Sequence, residues 1–457
     1  MLPQFLPGTT FESRFIFEPS TMAQQQKKLT RKEKIELQKT QTQAKHAEQK
    51  TSGGKANIKW TLAFIIGAVA FLLYANTLSH DYVLDDFSVI KENRLTKQGW
   101  DAFPEVFKKS FRFGYITTQD ELYRPLPKAT FAAEWALAPD KPALGHFVNI
   151  LLYALTGMLL FLTLRKYMKG DLLIPFVASL LFIAHPIHTE AVANIKSRDE
   201  IMSLLFSFGA LSCIYEWIRK EKVSWLFAAM VSFFLSILSK ESGITFLAVF
   251  PLTIYFFTNA PSRKWITVIL CMIVPVGIFL ILRNNVLAGS LKTNFSEVDN
   301  ILVAAPDGIS KLATAIFILL LSLKVIFFPH PLVIDYSYKQ IPVIGMGDWR
   351  FWIAALILSG LLFLGLRGLK KKNLLSFAIL YFFITVSIFS NLLVLIGTSF
   401  GERLMLIPSL GFCLALAILG VKLFPSGVKA FSSVKDFFVA NGKLFGICAI
   451  ILDTTFV

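Results

Sequence analysis

Charge is scarce in this chain. Only 17% of its 457 residues are Asp, Glu, Lys or Arg, while 54% are hydrophobic; a soluble domain carries about 25% charged residues. That shortage excludes an ordinary globular enzyme. Cysteine is scarce too, and Cys213, Cys271, Cys413 and Cys448 all fall within apolar runs. They form neither a disulfide framework nor a metal spacing, and they read as packing residues. Carboxylates are the rarer charge: 30 Asp/Glu stand against 46 Lys/Arg, a formal net charge of +16. Such an excess suggests nucleic acid only where it is spread over a folded surface. Here ten Lys/Arg against three Glu are packed between Met22 and Lys59, just before the first apolar run. A basic block in that position marks a cytoplasmic flank facing anionic membrane lipid, so no nucleic-acid partner is expected.

Long apolar runs and 44 phenylalanines make up what remains. The sequence predicts an all-α, polytopic membrane helix bundle of about ten or eleven spans. Residues 1–58 read as a disordered, basic cytoplasmic terminus; the stretch before Met22 lacks the charged-then-apolar order of a signal peptide. The first span, Lys59–Leu78, is long enough to cross the roughly 30 Å hydrocarbon layer. A long exported loop, 79–144, follows, with Trp100–Phe113 and Phe131–Leu137 expected to lie along the interface. Spans are then predicted at Gly145–Leu164, Leu172–Ala184, Ile201–Ile218, Val223–Ser239, Gly243–Thr258, Trp265–Leu282, Phe351–Leu366, Leu374–Ile396 and Leu404–Leu423. Placing each basic cluster inside gives one alternation. It fails only if Leu312–Phe328 spans, so the segment 283–348 is expected to lie in the outer leaflet or to re-enter. Residues 426–457 form a tail in which Leu444–Leu452 begins a further span, and the chain stops there as though an exported C-terminal domain were missing.

Sorting residues by side gathers the chemistry at the outer ends of the spans. Found there are Asp85-Asp86, Arg124, His185, His188, Glu190, Arg198-Asp199-Glu200, Lys240-Glu241, Arg283 and Glu402-Arg403. Charges at membrane boundaries are costly unless paired or functional. Asp85-Asp86 reads either as a carboxylate that takes a proton from a hydroxyl nucleophile, beside a neighbour that positions the acceptor, or as a solvated acidic turn. His185 and His188 have a three-residue spacing and Glu190 close by, which suits metal ligation, phosphate or substrate hydrogen bonding, or helix capping. Pro186 spoils a regular helix through both, and zinc would need a third or fourth ligand, so no metal is assigned. Arg124, Lys240 and Arg403 can grip phosphate oxygens, snorkel to headgroups, or pair with Glu190, Glu241 and Glu402. Lys240-Glu241 interrupts two short apolar runs, a break tolerated only beside protein or a wet cavity. A transporter or a non-catalytic membrane assembly protein would also have many spans and boundary charges, and these remain the alternatives to an enzyme.

Taken in order, these residues resemble the transmembrane-and-tetratricopeptide-repeat O-mannosyltransferases and their bacterial relatives. The resemblance rests on Tyr82-Val-Leu-Asp85-Asp86 with Ile90 and Asn93, then Tyr123-Arg124-Pro125-Leu126. It continues through His185-Pro-Ile-His188-Thr-Glu190-Ala-Val-Ala193 with Arg198-Asp199-Glu200, and Ser239-Lys240-Glu241-Ser-Gly243-Ile-Thr245. Pro331-Leu332, Asp335-Tyr336-Ser337, and Glu402-Arg403-Leu404 with Pro408-Ser409-Leu-Gly411-Phe412 complete it, over roughly 60–425. The resemblance implies that 59–425 is a GT-C glycosyltransferase module. Such an enzyme is metal-independent and moves a mannose-like sugar from a polyprenyl-phosphate donor to a protein or glycan hydroxyl outside the cytoplasm. The lipid-linked sugar is a co-substrate, and no cofactor is implied. Asp85 and Asp86 map onto the family's catalytic acidic motif; Arg403, Lys240 and Arg124 are the candidates for the donor phosphate. His185, His188, Glu190, Arg198, Asp199, Glu241 and Glu402 are candidates for substrate binding or support. The tetratricopeptide repeats of the family are absent, which leaves room for a separate partner carrying them. The expected location is a bacterial inner membrane with the site facing the periplasm, or the endoplasmic reticulum with a lumenal site in a eukaryote.

Overall fold

A computed structural model describes residues 58–115, 122–288, 295–337, 340–425, 431 and 433–456. The disorder expected for 1–58 lies, up to Asn57, outside the described residues. Among the described residues there are helices and turns but no β-strand, the architecture that apolar composition demands where no water can satisfy an open sheet edge.

The longer helices, in chain order, are α1 (Ile58–Ser79), α2 (Pro125–Leu137), α3 (Pro142–Tyr167), α4 (Leu173–Ile183), α5 (Arg198–Lys220), α6 (Val223–Ser239), α7 (Phe246–Phe257), α8 (Ser262–Leu287), α9 (Gly308–Phe327), α10 (Trp349–Arg367), α11 (Leu374–Val386), α12 (Leu406–Leu423) and α13 (Gly442–Phe456). Among the described residues, seven segments are long and apolar enough to cross a membrane, or eight if α4 and the bent turn after it form one span; α6, α7 with its leading turn, and α11 with its trailing turn are shorter apolar helices. The chain is therefore an integral membrane protein.

Contacts between neighbours fix the direction of each helix. Let the Ser79 end of α1 be the upper end. Phe71 stacks on Phe147, and a Cβ on Gly67 would meet Met158 Sδ at 2.8 Å, so α3 runs down beside α1. Tyr153 bonds the Ile183 carbonyl at 3.1 Å while Phe161 meets Phe176, so α4 runs up. Helix α5 then descends from Arg198 and α6 climbs against it, joined by Ser207–Ser236 at 2.8 Å. At the lower end Lys372 Nζ donates to the Thr258 carbonyl at 3.1 Å, and Tyr255 to the Leu369 carbonyl at 3.1 Å. These bonds place the end of α7 beside the start of α11.

Helix α9 behaves differently. The groove beside its first turns is lined by Asn391–Leu395, which follow the top of α11. Arg350, at the start of the descending α10, lies over Phe317 in its middle. Its Ile326 carbonyl accepts from His185 Nε2 at 2.9 Å, at the top of α4. Both ends of α9 thus contact the upper layer, although its length and apolarity would suffice for a span.

Two elements depart from the sequence pattern. The run Leu374–Ile396 is helical only to Val386, with one 3-10 turn to Phe389. Ser387 and Ser390 hydroxyls donate to the Ile384 and Ser387 carbonyls at 2.7 and 2.6 Å, and Asn391 takes a left-handed φ of 55°. Local side-chain bonds of this kind compete with helix continuation. Helix α8 runs five residues past Leu282, so Arg283 lies within it rather than in the following loop.

Candidate active site at the upper end

The upper ends of α4, α5, α6 and α12 meet the loop after α1, and the charged residues meet there. The loop is shaped first by Asp86. This side chain is fully buried; its Oδ2 accepts from Val83 N–H at 3.0 Å and its Oδ1 from Lys196 N–H at 2.7 Å. Those bonds fold the 83–86 turn and tie it to the turn before α5. Asn93 closes the loop from below, accepting from the Leu95 and Thr96 amides at 3.1 Å each.

Asp85 is placed differently. Its carboxylate is 28% exposed and contacts Arg112 at 2.9 Å and Lys196 Nζ at 3.5 Å. Burial alone would raise its pKa, but Lys196, Arg112 and Arg403 together hold it below the ordinary aspartate value. Asp86 goes the other way: burial pushes it up to about 6, against the pull of its two amide bonds. Two adjacent, chemically identical residues therefore differ in how readily they take up a proton and in access.

Behind Asp85 lies a chain of buried ion pairs. Asp199 accepts from Arg124 at 2.7 Å and lies 3.8 Å from Lys196 and 3.6 Å from Lys240. Lys240 also bonds Glu200, and Arg124 reaches Glu241 at 2.9 Å. Ions this deeply buried persist only when paired. Close packing brings their helices together: a Cβ on Gly243 would lie 2.5 Å from Ser236 Oγ and 2.8 Å from Ser203 Oγ. Arg403 closes the site from α12. It binds Glu190 through its main-chain N–H at 2.8 Å and its guanidinium at 2.5 Å, and its side chain remains 26% exposed.

Other candidates are brought near but turned to structural partners. His185 Nδ1 accepts from Ile187 N–H at 3.2 Å, which assigns the ring hydrogen to Nε2, the atom that donates to the Ile326 carbonyl. His188 is fully buried between the Tyr153 hydroxyl at 2.7 Å and Ser409 Oγ at 2.8 Å. With both rings occupied in this way, neither presents a nitrogen to a ligand. Glu402 accepts from Val333 N–H at 2.6 Å and the Tyr336 hydroxyl at 2.8 Å, holding the 331–337 segment. Arg198 faces away from Asp199. It is buried against Glu134, Thr130 and Phe131 of α2, Asn149 Oδ1 at 2.7 Å, and the Gly145 carbonyl at 3.0 Å. Consecutive helical residues point about 100° apart, so an Arg-Asp-Glu run cannot face one cavity with all its side chains. Lys196 and Arg112 were not among the residues singled out in the sequence, although both touch Asp85. For Lys196 the only available signal was its place three residues before Asp199.

Comparison with known proteins finds two family matches and several relatives. Residues 127–287 match the family described as dolichyl-phosphate-mannose-protein mannosyltransferase, and residues 289–362 match the family described as protein O-mannosyl-transferase TMTC, DUF1736. The chain is 28% identical over 365 residues to Protein O-mannosyl-transferase F38B6.6 of Caenorhabditis elegans, covering 79% of this chain and 51% of that protein. It is 29% identical over 336 residues to Protein O-mannosyl-transferase TMTC2 of Homo sapiens, covering 68% and 39%. With human Protein O-mannosyl-transferase TMTC4 it shares 28% over 404 residues, covering 77% and 54%. The chain thus spans about half or less of the length of these relatives. These matches lie over an all-helical bundle, and the chain is similar, over most of its length, to proteins named O-mannosyl-transferases.

Proposed function

We propose that this protein transfers a mannose-like sugar from a polyprenyl-phosphate donor to an acceptor hydroxyl, on a protein or glycan, at the upper face of the bundle. The observation that carries the reading is Asp85: a partly open carboxylate, kept ionised by Lys196 and Arg112 and within the electrostatic reach of the partly buried Arg403. Asp85 takes the acceptor proton as the hydroxyl oxygen bonds to the anomeric carbon. The bond from that carbon to phosphate breaks, and the lipid phosphate leaves with the electron pair. Asp86 does not share this role, because each of its oxygens already accepts an amide hydrogen in the buried turn.

Arg403 is the phosphate-gripping residue in this reading, since its side chain, although paired with Glu190, keeps 26% of its surface exposed. Arg124 and Lys240 lie deeper, neutralised by Asp199, Glu200 and Glu241, and shape the floor of the site. His185, His188, Glu190, Glu402 and Arg198 support the walls. No cofactor enters the proposed chemistry.

The membrane orientation follows from charge. Lower-end turns carry Arg165-Lys166, Arg219-Lys220, Arg263-Lys264 and Lys370-Lys371-Lys372, which the positive-inside rule assigns to the cytoplasm. The site then faces the periplasm in a bacterium or the lumen in a eukaryote. The test is turnover by purified protein given polyprenyl-phosphate-mannose and a Ser/Thr peptide. Sugar transfer that disappears in Asp85→Asn, with normal membrane insertion, supports the reading; transfer unchanged in Asp85→Asn overturns it.

A further inference from the structure

We propose that Lys196 is the positioning residue of this site: its ammonium keeps Asp85 ionised and fixed in direction, while its main chain holds Asp86. The inference rests on the reading of Asp85 as the proton acceptor and adds the residue through which that acceptor is controlled.

Lys196 reaches three carboxylates, two through its ammonium and one through its own amide. Its Nζ lies 3.5 Å from Asp85 and 3.8 Å from Asp199, and its N–H donates to Asp86 at 2.7 Å. Its side chain is only 5% exposed, so it is poorly placed to meet a lipid phosphate directly. The turn that carries it, Ile195–Ser197, is fixed from behind. Asn149 Nδ2 donates to the Asn194 carbonyl at 3.0 Å and the Ile195 carbonyl at 3.3 Å. Gly145 of α3 leaves room for the Ile195 side chain, which a Cβ there would meet at 2.9 Å. An ammonium on an anchored turn cannot follow Asp85 if that residue swings away, so it restrains the carboxylate's direction as well as its charge.

The surrounding charges decide where the ammonium acts. Asp85 faces Lys196, Arg112 and Arg403, with Asp86 beside it in the chain; Lys196 faces Asp85, Asp199, Arg403 and Arg124. Asp199 is already closely bonded by Arg124 and approached by Lys240. Arg403 forms its ion pair with Glu190 and acts on Asp85 from farther away, and Arg112 is a 39% exposed side chain, screened by water. Among the described residues, Lys196 is thus the buried cation that forms an ion pair with Asp85. During transfer it keeps its own proton: the acceptor hydrogen goes to Asp85 and the electron pair of the broken bond to phosphate.

Two measurements test this, one of which needs no turnover. Carbodiimide labelling of protonated Asp85, followed by peptide mass spectrometry across pH, reports its ionisation directly. In Lys196→Met the labelling midpoint should move to higher pH, and the acid limb of kcat/KM should move with it. At pH 6 kcat should fall on the order of tenfold, with donor KM within about threefold. Lys196→Arg, which keeps the charge, should restore the limb. Should Lys196→Met insert poorly, Lys196→Gln serves the same test. An unmoved labelling midpoint in an inserted neutral variant overturns the proposal, as does a tenfold rise in donor KM with an unmoved pH profile. If the midpoint moves while Asp85→Asn turns over normally, the role of Lys196 in holding Asp85 ionised stands, and it is the reading of Asp85 as proton acceptor that fails.

Discussion

The two ends of the bundle use the same side chains in opposite ways. At the lower end the pairs are partly exposed: Glu216 meets Arg219 and Lys220 one turn away and Lys166 of α3 at 3.1 Å, and Lys264 meets a largely exposed Glu221 43 residues away. At the upper end Arg124 reaches carboxylates 75 and 117 residues away, and Arg403 one 213 residues away. Pairs that keep one partner in water contribute little to stability, whether local or between helices. Distant, buried pairs exist only if the whole fold brings them together, and they carry a desolvation cost that a purely structural core would avoid with apolar residues. The contrast locates the demanding chemistry at one end.

Substitutions can break that contrast if it is wrong. The largest expected effect is Asp85→Asn, which should lower turnover by ~10²–10⁴-fold with unchanged insertion. The wild-type acid limb of kcat/KM sharpens the choice between neighbours. Asp85 is held below the ordinary aspartate value, so it stays ionised down to acid pH, and activity falls only as pH drops through that low value. An acid limb near pH 6 would instead identify Asp86.

Arg198→Ala comes next, and it should act on stability. It strands Glu134 and removes the cation packed on Phe131, a loss of about 3–5 kcal/mol. Thermal unfolding in detergent should show a large drop in Tm, while turnover per folded molecule changes little. A catalytic loss at unchanged Tm would put Arg198 back into the site.

Arg403→Ala should cost about 2–4 kcal/mol of transition-state stabilisation, by analogy with a removed oxyanion donor. Arg403→Lys keeps the charge without the bidentate fork and should lose less. Turnover of both variants at saturating donor decides this. At the small end, Lys220→Ala should leave turnover within about twofold of wild type, because a pair within one helix turn contributes little. A tenfold loss there would show that the lower end is coupled to the chemistry.

Much of this molecule was legible as sequence, and the parts that were not have specific causes. Apolar runs announced the bundle because hydrocarbon tolerates little else. The end of α11 was hidden, since Asn391-Leu-Leu-Val-Leu-Ile396 looks like a continuing span. What ends the helix is two serine hydroxyls and a left-handed Asn391, which a hydropathy pattern does not register. Asp85 and Asp86 could not be told apart, because their difference lies in which one the fold buries. Arg198 was grouped with Asp199 because sequence proximity says little about direction on a helix. Lys196 stands in the sequence as a single lysine near a charged run; its place in the site comes from Asp85, which the fold brings to it.

The double attachment of Arg403 has a practical consequence. Its guanidinium and its own amide hydrogen both end on Glu190. Shortening the side chain removes one mooring and leaves the other, so the backbone at the top of α12 should keep its course in an alanine or lysine variant. Proline is the informative exception, because it has no amide hydrogen to give. If Arg403→Pro perturbs the neighbouring Glu402–Tyr336 contact while Arg403→Ala does not, losses in the alanine variant report chemistry rather than a displaced loop.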